Sequence, residues 1–132
     1  MHGYFKNGNP HISADIYGHT KELKNTFECM VDTGFNGFVT IPYLEAFPLG
    51  LIMIGTTSST IADGSTSSSL MCQGTVVIDG QELKDIPITI MPNCNILFGT
   101  QLLKRAGLKM NIDFESETME LISLKKSSKK KK

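Results

Sequence analysis

Residues 27–42 read FECMVDTGFNGFVTIP, and this stretch joins two apolar, β-prone runs through a tight turn. The first run, Phe27 to Val31, leads directly into Asp32, and Thr33-Gly34 follows with residue types that suit a turn. A carboxylate that is buried beside apolar strands costs free energy unless a partner compensates for its desolvation. Asp32 is therefore either an ordinary turn residue or a carboxylate that the protein uses, and the remaining sequence must distinguish these interpretations.

Length and composition indicate one mostly β domain. The chain has 132 residues, of which 40% are hydrophobic and 12 are glycines, so it can enclose one core. Short apolar runs separated by Ser, Thr, Gly and Pro are typical of many strands joined by turns. No apolar stretch approaches the ~20 residues of a membrane-spanning helix, so no membrane span is expected.

The cysteines and the first residues predict a cytoplasmic protein. Cys29, Cys72 and Cys94 have no metal-ligand spacing and cannot all pair within the chain, so reduced thiols are the simplest interpretation. Met1 to Lys6 contains no apolar signal-peptide core. No metal and no cofactor is expected.

The net charge of zero conceals an asymmetry along the chain. Six of the 13 basic residues lie in the last eight positions, as Lys125, Lys126 and Lys129 to Lys132, against a core sequence that is acidic. Because a block of like charges repels itself and stays solvated, we predict a domain over residues 1–124 and a disordered lysine-rich tail over 125–132. Such a tail makes salt-sensitive contacts with acidic surfaces, and we expect no specific nucleic-acid site.

The first part of the chain is predicted as strands joined by short connections. Asn7-Gly8 between two β-prone runs is a strong hairpin signal, and Pro42 suits the first position of a helix. The elements expected are strands at Gly3–Lys6, His11–Gly18, Phe27–Val31, Phe38–Ile41 and Leu49–Ile54, with a short helix at Tyr43–Phe47.

A Ser/Thr-rich segment follows, Thr56 to Ser69, with Asp63-Gly64 at its middle. It is either a low-complexity linker or a long exposed hairpin. The hairpin is favoured because β-prone threonines flank a central turn and the strand continues over Leu70–Ile78.

The last part of the chain supplies two further hairpins and a helix. Asp79-Gly80 predicts a turn, Thr100 is expected to cap a helix with an apolar stripe, and Gly107 to end it. The elements expected are strands at Leu83–Met91, Leu108–Phe114 and Met119–Leu124, an apolar run at Asn95–Gly99, and a helix with Leu102, Leu103 and Ala106 on its buried face.

Three of these features together resemble the retropepsin-like aspartic proteases, most closely their small bacterial and archaeal single-domain members. They are Asp32-Thr33-Gly34 after two apolar residues, a downstream Leu97-Phe98-Gly99 before a helix, and the hairpin between them. The resemblance covers residues 3–124 in element order. It implies a mostly β, closed-barrel-like fold with one short C-terminal helix, and an aspartic endopeptidase that cleaves peptides or proteins as a homodimer.

The resemblance also assigns roles to individual residues. Asp32 is the catalytic carboxylate, Thr33 bonds across a dimer axis, and Gly34 allows close approach of backbone and substrate. The flap is Ile61, Ala62, Asp63 and Gly64, and the site wall is Leu97 and Phe98, with Gly99 at a close strand crossing. Phe35 and Asn36 depart from the usual residues after the motif, and Asn36 is expected to donate a hydrogen bond to Asp32.

Three functions are compatible with the sequence. Hydrolysis by aspartates needs two adjacent carboxylates that share a proton, so one motif per chain requires a twofold dimer. The main alternative is a non-catalytic dimeric peptide-binding module of the same fold. A phosphotransfer enzyme with Asp32 as nucleophile is disfavoured, because Gly34 stands where a second acid is often found and helices do not alternate with strands.

Overall fold

The computed structural model describes residues 1–60, 63–92 and 95–123, and strands dominate these ranges. The strands are β1 (Tyr4–Lys6), β2 (Asn9–Tyr17), β3 (Asn25–Val31), β4 (Val39–Pro42), β5 (Ile52–Thr60), β6 (Thr66–Ile78), β7 (Gln81–Met91), β8 (Leu97–Phe98), β9 (Leu108–Asp113) and β10 (Thr118–Ser123). The α-helices are α1 (Tyr43–Ala46) and α2 (Thr100–Ala106), and short 3-10 helices cover Lys21–Leu23 and Phe47–Leu49.

Eight strands form one sheet that closes on itself. Their order is β1-β2-β3-β8-β4-β7-β6-β5, and β2 also pairs antiparallel with β6 through Asp15↔Val77, Ile16↔Val76 and Tyr17↔Thr75. This extra pairing joins β2, β3, β8, β4, β7 and β6 into a closed six-stranded barrel, from which β1 and β5 extend. The predicted mostly β, closed-barrel fold is confirmed.

Alternating residues of the barrel strands fill the core. Ile86, Ile88 and Ile90 of β7 are buried on one face, as their spacing predicts. The apolar stripe of α2 is also buried against this core, and Gly107 ends the helix in the left-handed conformation with φ 67°. The interior is therefore formed by the positions that the sequence pattern indicates.

Two hairpin turns have the backbone that their sequences require. Asn7 and Gly8 have φ angles of 53° and 80°, and Asp79 and Gly80 have 52° and 81°. Positive φ at both central residues gives the twist that matches two-residue hairpins, which explains the Asn-Gly and Asp-Gly pairs. Both predicted hairpins are confirmed.

Several element boundaries differ from expectation, and three of the differences concern the two α-helices and the strand after α1. Pro42 is the residue before α1 rather than its first residue, and the helix ends at Ala46. The next strand begins at Ile52 rather than Leu49, because a 3-10 helix over Phe47–Leu49 and a left-handed Gly50 delay it.

The third difference is that the capping position of α2 is Gly99, and Thr100 is its first residue. The Thr100 N–H is satisfied by a carbonyl of a distant loop rather than by a side-chain cap.

The last two strands form a separate hairpin that holds the first residues of the chain. β9 pairs with β10, and the Leu121 N–H donates to the Met1 carbonyl at 2.8 Å. The Gly3 N–H donates to the Met119 carbonyl at 3.1 Å, and an isolated bridge joins His2 to Glu120. Residues 1–3 therefore occupy one edge of this small sheet.

Within the described ranges, no helix is both long and apolar enough to cross a bilayer. The predicted lysine tail over 125–132 lies outside the described residues, as do Cys94 and the flap residues Ile61 and Ala62. The domain boundary at residue 124 stays a prediction.

Candidate active site

Asp32 begins a tight turn directly after β3. Its N–H donates to the Phe98 carbonyl at 3.0 Å, and its own carbonyl accepts from the Phe35 N–H at 3.1 Å. The Gly34 N–H donates to Oδ1 of the carboxylate at 2.9 Å. Asp32 is half-buried and Thr33 and Gly34 are exposed, so the carboxylate is accessible from outside the chain rather than fully enclosed as its apolar flanks suggested.

The two-residue strand β8 holds both sides of this turn. It pairs parallel with β3 through Met30↔Leu97 and Val31↔Phe98, and antiparallel with β4 through Val39↔Phe98 and Thr40↔Leu97. Phe98 is fully buried and Leu97 is half-buried. The apolar runs on either side of Asp32 are therefore fixed to each other through a third segment.

Backbone hydrogen bonds fasten the loop after Asp32 to the start of α2. The Gly99 N–H donates to the Phe38 carbonyl at 3.0 Å, the Thr100 N–H to the Phe35 carbonyl at 2.9 Å, and the Gln101 N–H to the Gly37 carbonyl at 3.1 Å. The first N–H groups of a helix lack partners within it, and here carbonyls of the loop over residues 35–38 satisfy them. The loop position is thus determined by backbone contacts.

Gly99 lies at a very close approach between these segments. A Cβ at this position would lie 2.4 Å from the Gly37 carbonyl oxygen and 2.6 Å from the Phe35 carbonyl oxygen. The Phe35 ring lies beside the same two glycines, since a Cβ at Gly37 would be 2.6 Å from its Cε1 atom. Phe35 therefore packs over the crossing, where only glycines leave room for it.

Asn36 is oriented differently from the expectation. Its Oδ1 accepts a hydrogen bond from the Thr100 hydroxyl at 3.2 Å, which places it against α2. Among the hydrogen bonds of the described residues, the one to the Asp32 carboxylate comes from Gly34. Sequence reasoning missed Thr100 as a loop contact, because nothing local to either residue indicates a pairing between positions this far apart.

The predicted flap is the hairpin of β5 and β6, which pair from Ile52↔Gln73 to Thr60↔Thr66. Asp63 Oδ1 accepts from the Ser65 hydroxyl at 2.7 Å and from the Ser65 N–H at 2.9 Å. These hydrogen bonds hold the pKa of the Asp63 carboxyl below its usual value. Asp63 and Gly64 are exposed, and Gly64 has φ 90°, so the described part of the tip is a solvent-facing turn.

Other aspartates have structural roles in turns. Asp113 Oδ1 accepts from the N–H groups of Glu115 and Ser116, and Asp63 serves its own turn in the same way. Asp79 occupies a left-handed turn position with its carboxylate 3.8 Å from the N-terminal ammonium. These contacts give the three carboxylates structural roles, so no catalytic role is needed to account for them. Across the described ranges, no three His, Cys, Asp or Glu side chains are grouped as metal ligands.

Comparison with known proteins identifies the fold. No family model matches the sequence, and no curated protein matches it. Among solved structures, the chain is similar to EIAV protease in complex with an inhibitor, a retroviral protease, with a TM-score of 0.63 and 15% identity over 80% of this chain and 95% of that one. It is also similar to a retropepsin-like aspartic protease from Rickettsia conorii, with a TM-score of 0.58 and 19% identity over 92% of this chain and 88% of that one. The barrel therefore has the retropepsin fold, and both of these neighbours are aspartic proteases.

Proposed function

We propose that this protein is an aspartic endopeptidase that acts as a homodimer, with Asp32 of each protomer contributing to one catalytic site. The observation that carries the proposal is the position of the Asp-Thr-Gly turn. It follows β3 of a retropepsin-type barrel, presents an accessible carboxylate, and is fixed by backbone contacts to β8 and α2.

The homodimer follows from the chemistry. Two carboxylates must lie close enough that like-charge repulsion leaves one of them protonated. The chain contains a single Asp-Thr-Gly, and Asp63, Asp79 and Asp113 are engaged in turns of their own. A twofold axis beside the turn supplies the second Asp32, with Thr33 of each chain donating across the axis to the opposite loop.

Each Asp32 has a distinct role in the proposed reaction. The ionised carboxylate takes a proton from water as the water oxygen attacks the peptide carbonyl carbon, and the protonated carboxyl donates to the carbonyl oxygen. The resulting tetrahedral intermediate breaks its C–N bond as the carboxyl that took the water proton donates it to the leaving nitrogen, and the other carboxylate takes a proton from a hydroxyl of the intermediate. The Gly34 N–H, which already donates to Asp32 Oδ1, keeps that carboxylate oriented.

The substrate in this proposal is an extended peptide or protein segment. Such a segment binds as an added strand in the cleft, and the flap at Ile61, Ala62, Asp63 and Gly64 closes over it. Leu97 and Phe98 form the wall behind the carboxylates, and Gly99 keeps the crossing tight. Cys29 and Cys72 are free and buried, which supports the predicted reducing, cytoplasmic location.

Asp32→Asn tests the proposal, because it keeps the shape of the side chain and removes the base. Purified parent and variant are incubated with a peptide library from about pH 3 to 7, and cleavage is followed by mass spectrometry. We expect an acid-side bell-shaped profile for the parent and a loss on the order of 10³-fold or more for the variant, with the dimer intact. Asp79→Asn is the matched control and should keep full activity. Cleavage by Asp32→Asn at the rate of the parent would refute the proposed aspartic protease function.

A second function, a dimeric peptide-binding module, is favoured by one observation. The Asn36 oxygen accepts from the Thr100 hydroxyl, so among the hydrogen bonds of the described residues the Asp32 carboxylate accepts from the Gly34 N–H and not from Asn36. If parent and Asp32→Asn both bind extended peptides with equal affinity and neither cleaves them, the binding function replaces the catalytic one.

A further inference from the structure

We propose that a trough on the outer face of the barrel is a substrate subsite for a lysine or arginine side chain, with Glu45 binding the cationic head group. The inference rests on the proposed peptidase function and names the class of substrate that this site selects. The trough has a volume of about 370 Å³, and the residues along it include Lys6, Glu28, Met30, Pro42, Glu45 and Ile96.

The trough opens on the same face of β3 as the Asp32 carboxylate. The inward positions of this strand are buried in the barrel, and they are Phe27, Cys29 and Val31. Because side chains alternate along a strand, Glu28 and Met30 point outward. The Met30 N–H donates to the Ile96 carbonyl at 2.9 Å and the Asp32 N–H to the Phe98 carbonyl at 3.0 Å, so the alternation continues as far as Asp32. The Met30 side chain and the Asp32 carboxylate therefore share one face.

The spacing along β3 relates the trough to the bond that is cleaved. Met30 precedes Asp32 by two residues, and strand residues advance about 3.3 Å each. An extended substrate advances by the same amount per residue. A substrate side chain within about three residues of the scissile bond consequently reaches the trough while the peptide lies at Asp32.

Glu45 lies on the opposite side of the trough from β3. It belongs to α1, which directly follows β4, and β4 pairs with β8 through Thr40↔Leu97. The Thr40 hydroxyl also donates to the Asn95 carbonyl at 3.2 Å. These contacts fix α1 beside the segment that leads into β8, so a side chain in the trough lies between β3 and the Glu45 carboxylate.

The charges along the trough favour a cationic ligand group. Lys6 Nζ lies 2.7 Å from Glu28 Oε1, so this pair is neutral as a unit and Lys6 is a poor partner for an acidic ligand. Among the described residues, Glu45 has no ion pair and no side-chain hydrogen bond. Its carboxylate is the charge that a ligand in the trough can match.

His11 also lines the trough, and contacts with its own hairpin hold it in place. Its Nδ1 donates to the Asn9 carbonyl at 2.9 Å, and its ring stacks on Tyr4 with 5.7 Å between centroids. The imidazole is thereby held against β1 and β2, so the charged contact for a ligand is assigned to Glu45.

The apolar part of the trough suits the stem of the same side chain. Met30 and Pro42 are half-buried and line the trough together with Ile96. Lysine and arginine cover apolar surface with their methylene stems while the charged head stays at a polar group. All 13 acidic residues but only seven of the 13 basic residues precede residue 125, so the field of the domain also attracts a basic peptide.

A peptide-library cleavage experiment provides the first test. In the parent, lysine and arginine should be enriched about fivefold at one position within about three residues of the scissile bond, the upper range for one solvent-accessible ion pair. Glu45→Gln should abolish the enrichment, and Glu45→Lys should shift it to aspartate and glutamate. Glu22→Gln removes an exposed carboxylate from the first 3-10 helix and should keep the parent preference. An enrichment that is absent in the parent, or unchanged in Glu45→Gln, overturns the subsite.

Binding without cleavage provides the second test. One lysine is moved along an otherwise uncharged, fluorescently labelled peptide, with norleucine at the same positions as the uncharged control. Fluorescence anisotropy with the Asp32→Asn protein at pH 7.5, where imidazole groups are ordinarily neutral, gives the dissociation constants. At one position lysine should bind about fivefold more tightly than norleucine, and adding Glu45→Gln should make the two peptides equal. Equal binding in the presence of Glu45 overturns the subsite.

The outcome is separable from that of the proposed chemistry. If the parent cleaves peptides in an Asp32-dependent way without any preference for lysine or arginine, the subsite is wrong and the protease stands. If the parent cleaves nothing while lysine peptides bind more tightly through Glu45, the subsite stands as a peptide-binding site and the protease is wrong.

Discussion

Replacing Gly99 by Ala should damage the candidate site and the fold together. The added Cβ would lie 2.4 Å from the Gly37 carbonyl oxygen and 2.6 Å from that of Phe35, both backbone atoms, so a side-chain rotation cannot relieve the contact. The loop over residues 35–38 or the start of α2 must move. That movement lengthens the hydrogen bonds from the Gly99 and Thr100 N–H groups.

The size of the effect can be worked out from these contacts. Overpacking in a rigid site costs about 1–3 kcal/mol, and weakening two hydrogen bonds adds roughly 0.5–1.5 kcal/mol each. A destabilisation of about 4 kcal/mol follows, which lowers the melting temperature of a domain of this size by more than about 10 °C. The φ angle of Gly99 is −97°, so backbone strain contributes nothing to this figure.

The assay is thermal and urea unfolding at one fixed protomer concentration, because dimerisation contributes to apparent stability. Gly80→Ala is the matched control: its Cβ would meet nothing within 4 Å, but its φ of 81° costs about 1–2 kcal/mol. Gly80→Ala should keep peptide cleavage, whereas Gly99→Ala should lose it even well below its melting temperature. Equal stability and equal activity of the two variants would refute the argument that the loop over residues 35–38 leaves no room for a side chain at Gly99.

Four further outcomes are expected. Cys29 is fully buried and burial raises the pKa of its thiol, so an alkylating reagent at neutral pH should modify it only after the protein is unfolded. Mass spectrometry measures the modification, and rapid modification of Cys29 in the folded protein would contradict this expectation. The hydrogen bond from Lys21 lowers the pKa of Glu82, so this carboxylate stabilises the fold above about pH 4.3 and loses that effect as pH falls. Glu82→Gln should therefore flatten the acid side of the melting-temperature profile, and an unchanged profile would contradict this. Ile88→Val should cost about 0.5–1.5 kcal/mol in urea unfolding, since Ile88 is fully buried. Deleting residues 125–132 should leave cleavage of a neutral peptide unchanged, and a large loss would place the tail in substrate or partner binding.

Features encoded by neighbouring residues were predictable from the sequence. Asn7-Gly8 and Asp79-Gly80 specify their turns through the φ angles that such pairs tolerate, and the spacing of Ile86, Ile88 and Ile90 specifies the buried face of β7. The long hairpin at Thr56–Ser69 was also predictable, because its alternative, a linker, gives no reason for threonines on both sides of a turn.

Features that depend on distant partners were not predictable from local patterns. The sequence predicted that Asn36 supports Asp32, yet the Asn36 side-chain oxygen accepts from the Thr100 hydroxyl. The sequence also predicted Thr100 as the N-cap of α2, whereas the N-cap is Gly99 because loop carbonyls satisfy the first N–H groups of the helix. The pairing of β2 with β6 that closes the barrel likewise depends on the twist of the whole sheet. The homodimer and the site roles of Thr33, Leu97 and Phe98 stay predictions.

The contact between Asn36 and Thr100 also has a consequence for when the candidate site forms during synthesis. These residues are 64 positions apart in sequence, and the hydrogen bonds around them hold the Asp-Thr-Gly turn in place. Pairings of such long range form slowly, because the entropy of closing the intervening chain is lost before any contact compensates for it. A nascent chain on the ribosome therefore carries Asp32 long before it carries the segment that orients it. In the proposed homodimeric protease, cleavage would also have to wait until two such folded chains meet, so synthesis and dilution together would delay activity and protect neighbouring polypeptides.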